Sequence, residues 1–122
     1  MSYLKKVEEM YNMINSGQMM DAFEKYYAEN VVMEEPMTGR REGKAANREF
    51  EKNWADSIAE YHGGGVNSIT SNEETGVTMV EAWIDMTNKE GQRMKMEEVA
   101  VQKWNGDQIE HERFYYNMGG NN

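Results

Sequence analysis

The stretch VEEMYNMINSGQMMDAFEKYYAENVVMEEP, residues 7–36, decides how this chain is read. Leu4, Val7, Tyr11 and Ile14 recur at helical spacing, with Lys5, Lys6, Glu8 and Glu9 off that stripe. Ser2 is placed to cap this helix and Asn15-Ser16-Gly17 to end it. A second, short helix follows, with Met19, Met20, Phe23, Tyr26 and Tyr27 on its apolar side and Asn30 as its breaker. Residues 31–35 then read as a strand, which Pro36 ends because proline has no N–H for the ladder. A phenol at Tyr11 and a carboxylate at Glu35 are thereby carried on two elements able to pack across one cavity.

Working outward, residues 37–43 read as a loop and 44–61 as a third helix with Ala46, Phe50, Trp54, Ile58 and Tyr61 on one side, stopped by Gly63-Gly64-Gly65. Residues 66–71 form a weak strand. Residues 77–86 form a strong one, with Val80, Ala82, Ile84 and Met86 on one face and Met79, Glu81, Trp83 and Asp85 on the other. The longest strand spans 93–104, and Asn105-Gly106 is a strong hairpin signal that returns residues 108–116 beside it. The expected organisation is one domain over 1–117 with a flexible tail at 118–122. Its class is α+β, three N-terminal helices packed in a mainly antiparallel sheet. Such a sheet would form a cone with a pocket in its mouth if it curved strongly around the helices, a curvature that the residue pattern does not itself encode.

Composition narrows the function classes. The 122 residues suffice for one core. A formal charge of −9 argues against nucleic acid and anionic membrane surfaces, since phosphate binding needs clustered Lys and Arg. The tightest basic group, Arg40-Arg41 with Lys44 and Arg48, has acids interleaved. No run of about eighteen apolar residues spans a bilayer, and no apolar signal core follows the first charges. The absence of cysteine removes disulfides and thiolate chemistry and fits a reducing compartment, so cytoplasmic is the default expectation. Two separated histidines and no tightly spaced carboxylates speak against a metal site, and no cofactor is expected. The glycine triplet lacks the features of a phosphate cradle. Twelve methionines fit either a tolerant core or a deformable apolar pocket.

Several local motifs, in this order and spacing, resemble the nuclear-transport-factor-2-like superfamily and its SnoaL-like branch. They are Asn15-Ser16-Gly17, Phe23 with the run 26–32, Glu34-Glu35-Pro36, Gly43-Lys44-Ala45-Ala46, and Asn105-Gly106 before the run 109–115. The resemblance covers nearly the whole chain and implies the cone-shaped α+β fold. Its nearest mechanistic comparison is ketosteroid isomerase, where a helix-one tyrosine donates to the substrate oxyanion and the second acid of a strand-end Glu-Asp-Pro is the general base. The resemblance places Tyr11 and Glu35 at these positions. The isomerase's second oxyanion donor, a protonated aspartate, falls on Ala100, and its supporting third-helix tyrosine falls on Glu51.

The candidate residues follow from these two readings. Glu35 shares a strand face with Val31 and Met33 and should point inward, where an unpaired carboxylate costs about 2 kcal/mol or more. Glu98 shares a face with Met94, Met96, Ala100, Gln102 and Trp104. A two-residue Asn105-Gly106 loop sets Ala100 opposite His111 and Glu98 opposite Arg113, which offers either an ion pair for Glu98 or a second proton carrier in His111. A one-residue bulge instead turns Glu110, Glu112 and Phe114 inward. His62 reads as structural, at a helix end near the last carbonyls. Phe50, Trp54, Trp83, Met96, Ala100 and Tyr115 are the expected pocket lining.

The leading functional expectation is cofactor-free acid–base catalysis of isomerase or cyclase type on a small apolar carbonyl compound. Glu35 removes a proton, Tyr11 steadies the enolate, and His111 or Glu98 completes the proton traffic. The alternatives are a non-catalytic ligand-binding or dimeric scaffold module of the same fold, and an association domain. A homodimer through a sheet face carrying Val80, Ala82, Ile84, Val99 and Val101 is expected in any case.

Overall fold

A computed structural model describes residues 1–117; the expected flexible tail at 118–122 lies outside the described residues. The order is α1 (Tyr3–Asn15), α2 (Met19–Tyr26), β1 (Tyr27–Glu35), β2 (Gly39–Glu42), α3 (Lys44–Asp56), β3 (Ile58–Asn72), β4 (Val77–Asn88), β5 (Arg93–Asn105) and β6 (Gln108–Tyr115). The six strands form one sheet in the order β2-β1-β6-β5-β4-β3. All neighbours are antiparallel except β1 and β6, which run parallel. Register shifts interrupt β3–β4 at three places, and β1–β6 and β5–β6 once each. Each shift bends its strand and adds twist, so a long sheet curls around the helices instead of lying flat.

The helices fill the concave side. Ser2 caps α1, its Oγ accepting from the Lys5 amide at 3.0 Å. Glu73, from the β3–β4 turn, accepts from the amides of Tyr3 and Leu4, so the cap also anchors α1 to the sheet. Lys6 is buried. Its ammonium donates to the Gly106 carbonyl and pairs with Asp107, pinning α1 to the β5–β6 turn. The core combines Val7 and Met10 of α1, Phe23 and Tyr26 of α2, and Val31, Met33, Val80, Trp104 and Ile109 of the sheet.

Three element boundaries differ from expectation, each for a non-local reason. The second helix stops at Tyr26, because Tyr27 already pairs with Ile109 of β6. The loop at 37–43 contains β2, whose residues 39–42 pair with β1. The third helix stops at Asp56, and Ile58 and Tyr61 join β3 against Asn88 and Met86. Apolar spacing at Trp54, Ile58 and Tyr61 suits a helix, but the twelve-residue β4 offers this edge strand ladder bonds along its inner side. The glycine triplet is thus within a strand. Its role is close approach: a Cβ on Gly65 would stand 3.1 Å from Trp83 Nε1, so the bare backbone lets the indole lie across β3. His62 accordingly sits in β3 and not at a helix end, with Nε2 2.7 Å from Thr87 Oγ1.

Asn47 organises the α3 entrance while fully buried. Its amide donates to the carbonyls of Gly43 and Arg41, and its Oδ1 accepts from Arg41 Nε at 3.1 Å. Asn47→Leu removes the side-chain bonds to the Arg41 carbonyl and from the Arg41 guanidinium, and leaves the Gly43 carbonyl only the backbone N–H of residue 47. The expected cost is about 2–4 kcal/mol, read as a lower urea midpoint. A midpoint within error of the wild type would show that these bonds do not hold the junction.

Candidate functional site

The concave side opens into a cavity of about 150 Å³. Tyr11 and Ile14 of α1 form one wall with Met19 of α2, while Phe50, Glu51 and Trp54 of α3 form the opposite wall. The sheet supplies the floor: Tyr27 and Glu35 of β1, Met96 and Glu98 of β5, and Glu112, Phe114 and Tyr116 of β6 and just beyond it. Four carboxyl groups therefore meet one mostly aromatic chamber.

Glu35 has both oxygens engaged. Oε2 accepts from Arg41 Nη2 at 2.9 Å and Oε1 from the Tyr116 hydroxyl at 2.8 Å. Arg41 is itself fixed by Asn47, by Thr38 and by stacking 3.5 Å from the Phe50 ring centroid. This is a compensated inward carboxylate. Burial, the Tyr116–Glu35 hydrogen bond and the Glu35 charge push the Tyr116 phenol up to about 12.

The other three carboxyls have no salt-bridge partner among the described residues. Burial pushes Glu98 up to about 7, with the Glu35 charge adding to it. Burial also brings Glu51 to about 7, where the Glu35 and Glu98 charges reinforce it and Arg41 opposes it. Glu112 reaches about 8: burial dominates, hydrogen bonds from Gln102 and Tyr27 oppose it, and the Glu51 and Glu98 charges add. The Tyr11 phenol is held well above its ordinary value by burial and then by Glu112 and Glu98, so it stays protonated and able to donate. Carboxyls poised between acid and base near neutrality, beside neutral phenols, can exchange protons with a bound molecule.

The expected site residues separate into two groups. Tyr11, Glu35, Glu98, Phe50, Trp54 and Met96 border the cavity. His111 does not; its Nε2 lies 2.6 Å from Glu34 Oε2 on the outer side of the β1–β6 pair, where the bond to His111 holds the Glu34 carboxyl below its usual range. Tyr115 is 48 % exposed, with Arg113 over its ring, and its neighbours Phe114 and Tyr116 take the cavity positions. Ala100 is fully buried in the core between Val80 and Phe114. Trp83 carries Lys95 over its ring and borders a smaller cavity of about 110 Å³ with Trp54, Ala82, Ile84, Met96 and Glu98.

One irregularity explains these exchanges. The hairpin turns at 106–107, with Asn105 opposite Gln108, and a register shift follows between Trp104 and Lys103. Lys103 then faces His111, Gln102 faces Glu112 and Ala100 faces Phe114. The shift turns Glu112 and Phe114 inward and leaves Arg113 outside opposite Val101, while the turn at 106–107, one residue later than expected, already removes the Glu98–Arg113 pairing. Glu51 was legible as Asn47, Glu51 and Trp54 at helical spacing, but its acid character hid it. Arg41 carried no signal beyond an acid-interleaved basic run.

Six strands wrapped around three helices define the cone-shaped nuclear-transport-factor-2-like fold. Residues 1–116 match the SnoaL-like domain profile, and the chain belongs to that family. Among solved structures, a protein provisionally assigned as a SnoaL-like polyketide cyclase from Mesorhizobium loti is 28 % identical, with a TM-score of 0.84 over 95 % of this chain and 100 % of that one. A protein provisionally assigned as a polyketide cyclase from Pseudomonas putida KT2440 is 19 % identical, with a TM-score of 0.81 over 97 % and 93 % of the two chains. An NTF2-like protein from Anabaena variabilis is 20 % identical, at 0.78 over 96 % and 90 %. The latter two likenesses concern the fold alone. No curated protein matches the sequence. Among the described residues, no helix is long and apolar enough to cross a membrane.

Proposed function

We propose that this SnoaL-like protein is a cofactor-free acid–base catalyst, of isomerase or cyclase type, acting on a small apolar carbonyl compound in the cytoplasm. The observation that carries the proposal is the convergence of Glu35, Glu51, Glu98 and Glu112 with Tyr11 on one aromatic cavity. Glu98 is the base. It combines a value near 7 with freedom from any salt bridge among the described residues. Glu35, tied to Arg41 and Tyr116, lies close enough for its charge to raise Glu98 and support its basicity. Tyr11 donates to the enolate oxygen as charge develops there. This reassigns the abstraction step from Glu35 to Glu98 and leaves His111 out of the chemistry.

A cavity near 150 Å³ accommodates about one benzene-sized ring, so the substrate class is a monocyclic or short-chain ketone. The test is α-hydrogen exchange of a small cyclic ketone in deuterated water, followed by proton NMR. Protein-dependent exchange should rise with pH through about 7. If a series of such ketones binds without any accelerated exchange, the protein is a ligand carrier of the same fold.

We also propose a twofold dimer through the convex sheet face. Val80 is fully buried and shares the inner face with Ala82 and Ile84, so these three cannot contribute to the contact as first expected. Of the expected residues Val99 stays on the convex face, 36 % exposed, and Met79 and Tyr115 join it, exposed by 45 % and 48 %. Light scattering should return about twice 14.2 kDa; a mass that stays at the single-chain value as concentration rises would remove the dimer.

A further inference from the structure

Behind the cavity runs a chain of buried hydrogen bonds whose direction is fixed. The Trp104 indole N–H can only donate, and it donates to Thr78 Oγ1 at 2.9 Å. Thr78 turns its own proton to Gln102 Oε1 at 2.6 Å. Gln102, with its carbonyl engaged, presents its amide N–H to Glu112 Oε2 at 2.7 Å. Thr78 and Gln102 are fully buried and Glu112 is 1 % exposed, so bulk water does not compete. The other carboxyl oxygen, Oε1, meets the Tyr27 hydroxyl. Both Glu112 and Tyr27 border the cavity.

This direction dictates where Glu112 can carry a proton. A proton on Oε2 would face the Gln102 amide hydrogen, so Oε1 is the available position. With Glu112 ionised, the Tyr27 proton points at Oε1 and is held inside the protein. With Glu112 protonated, its O–H donates to the Tyr27 oxygen, and the Tyr27 hydrogen turns toward the cavity. One proton taken from solvent thus delivers one hydrogen-bond donor to the chamber, and only one O–H bond is made.

We propose that Tyr27 is a second oxyanion donor of this cavity, beside Tyr11, and that Glu112 is the positioning residue whose protonation aims it. The inference rests on reading the chamber as a site where an oxyanion forms. The titratable groups facing Glu112 are Tyr11 from α1, Tyr27 from β1, Glu51 from α3 and Glu98 from β5, while Arg41 of β2 is occupied by Glu35. Burial keeps Glu112 largely protonated at neutral pH, with its midpoint at about 8. The donor that the isomerase carries at the position of Ala100 is supplied here from β1, through an acid on β6.

The test uses wild-type protein labelled with 13C at tyrosine Cζ, without ligand. The Tyr27 resonance, identified with Tyr27→Phe, should titrate with a midpoint of about 8. In Glu112→Gln the amide nitrogen faces the Tyr27 oxygen and imposes the acid-form arrangement, so the resonance should hold its acid-limit position at every pH. If Tyr27→Phe does not fold, the Tyr27 signal is assigned by through-bond NMR on uniformly labelled protein. A Tyr27 signal indifferent to pH in the wild type, or still titrating in Glu112→Gln, overturns the proposal. A second arm uses 4-nitrophenolate as oxyanion probe at pH 9. Glu112→Gln should bind it at least ~10-fold more tightly than wild type, a step of about 1.4 kcal/mol. Glu51→Gln, which removes the same charge but leaves the Tyr27–Glu112 bond, should gain less. Equal gains in the two variants, or no binding to Glu112→Gln, also overturn it. Neither arm requires turnover, so a Tyr27 titration without ketone exchange would sink the catalytic reading alone.

Discussion

Glu112→Gln should melt at a higher temperature than the wild type at pH 9 and at nearly the same temperature at pH 5. The folded protein holds the Glu112 proton up to about 8, whereas the unfolded chain releases it near the ordinary glutamate value of 4.5. Between those values the folded state binds the extra proton. Its stability contribution is therefore complete below the unfolded value and is lost as pH rises through about 8. Glutamine has no proton to lose and keeps both hydrogen bonds, to Gln102 and to Tyr27. The displacement is worth up to about 5 kcal/mol at roughly 1.4 kcal/mol per pKa unit, before relaxation lowers it. The expected gain at pH 9 is at least about 5 °C, since one kcal/mol moves the midpoint of a domain this size by roughly 4 °C. Glu51 and Glu98 titrate near 7 in both proteins, so both curves should still decline above neutrality. Parallel melting curves for the two proteins from pH 5 to 9 would mean that Glu112 is hydrated and ionises normally.

For the proposed ketone exchange, Glu98→Gln should lower kcat/KM by about 10²–10⁴-fold, the range that one positioned general base supplies. The amide keeps the shape of the side chain and cannot accept the α-proton. The wild-type rate should rise through about 7 as Glu98 ionises, then fall above about 8 as Glu112 ionises and withdraws the Tyr27 proton. Removing Glu98 should abolish the rising limb. Glu35→Gln should have a smaller effect and shift that limb to lower pH, because the Glu35 charge is one of the two causes that raise Glu98. Should Glu35→Gln abolish exchange while Glu98→Gln leaves it intact, the roles of the two acids are reversed from those proposed.

Amphipathic spacing located α1, the alternation in β4 and the inward row of β5, because these patterns are local and each is satisfied by one face of one element. The same logic placed Tyr11, Glu98, Phe50, Trp54 and Met96 at the cavity. It failed where two segments compete for one stretch of chain. Residues 58–61 have helical spacing, yet β4 claims them; residues 27–30 continue the second helix on paper, yet β6 claims Tyr27. A propensity of a few tenths of a kcal/mol per residue does not outweigh a run of ladder bonds and the burial that comes with it.

The sequence by itself determined an α+β class, a helix-borne phenol and an inward-facing acid, since these follow from periodicity within each segment and from the Glu34-Glu35-Pro36 strand end; the cone shape came only from the family resemblance. Only the tertiary structure decided which face of the last strand meets the cavity. A single extra residue in one strand of the β5–β6 pair exchanges His111 and Arg113 for Glu112 and Phe114. Side chains alternate with a period of two, so a slip of one residue reverses every inward position beyond it, and the sequence near the slip suits both registers. The same packing set Arg41 against Glu35 and left Glu98 unpaired among the described residues. The proposal of Glu98 over Glu35 as base therefore rests on charge separation in three dimensions, which spacing along the chain does not encode.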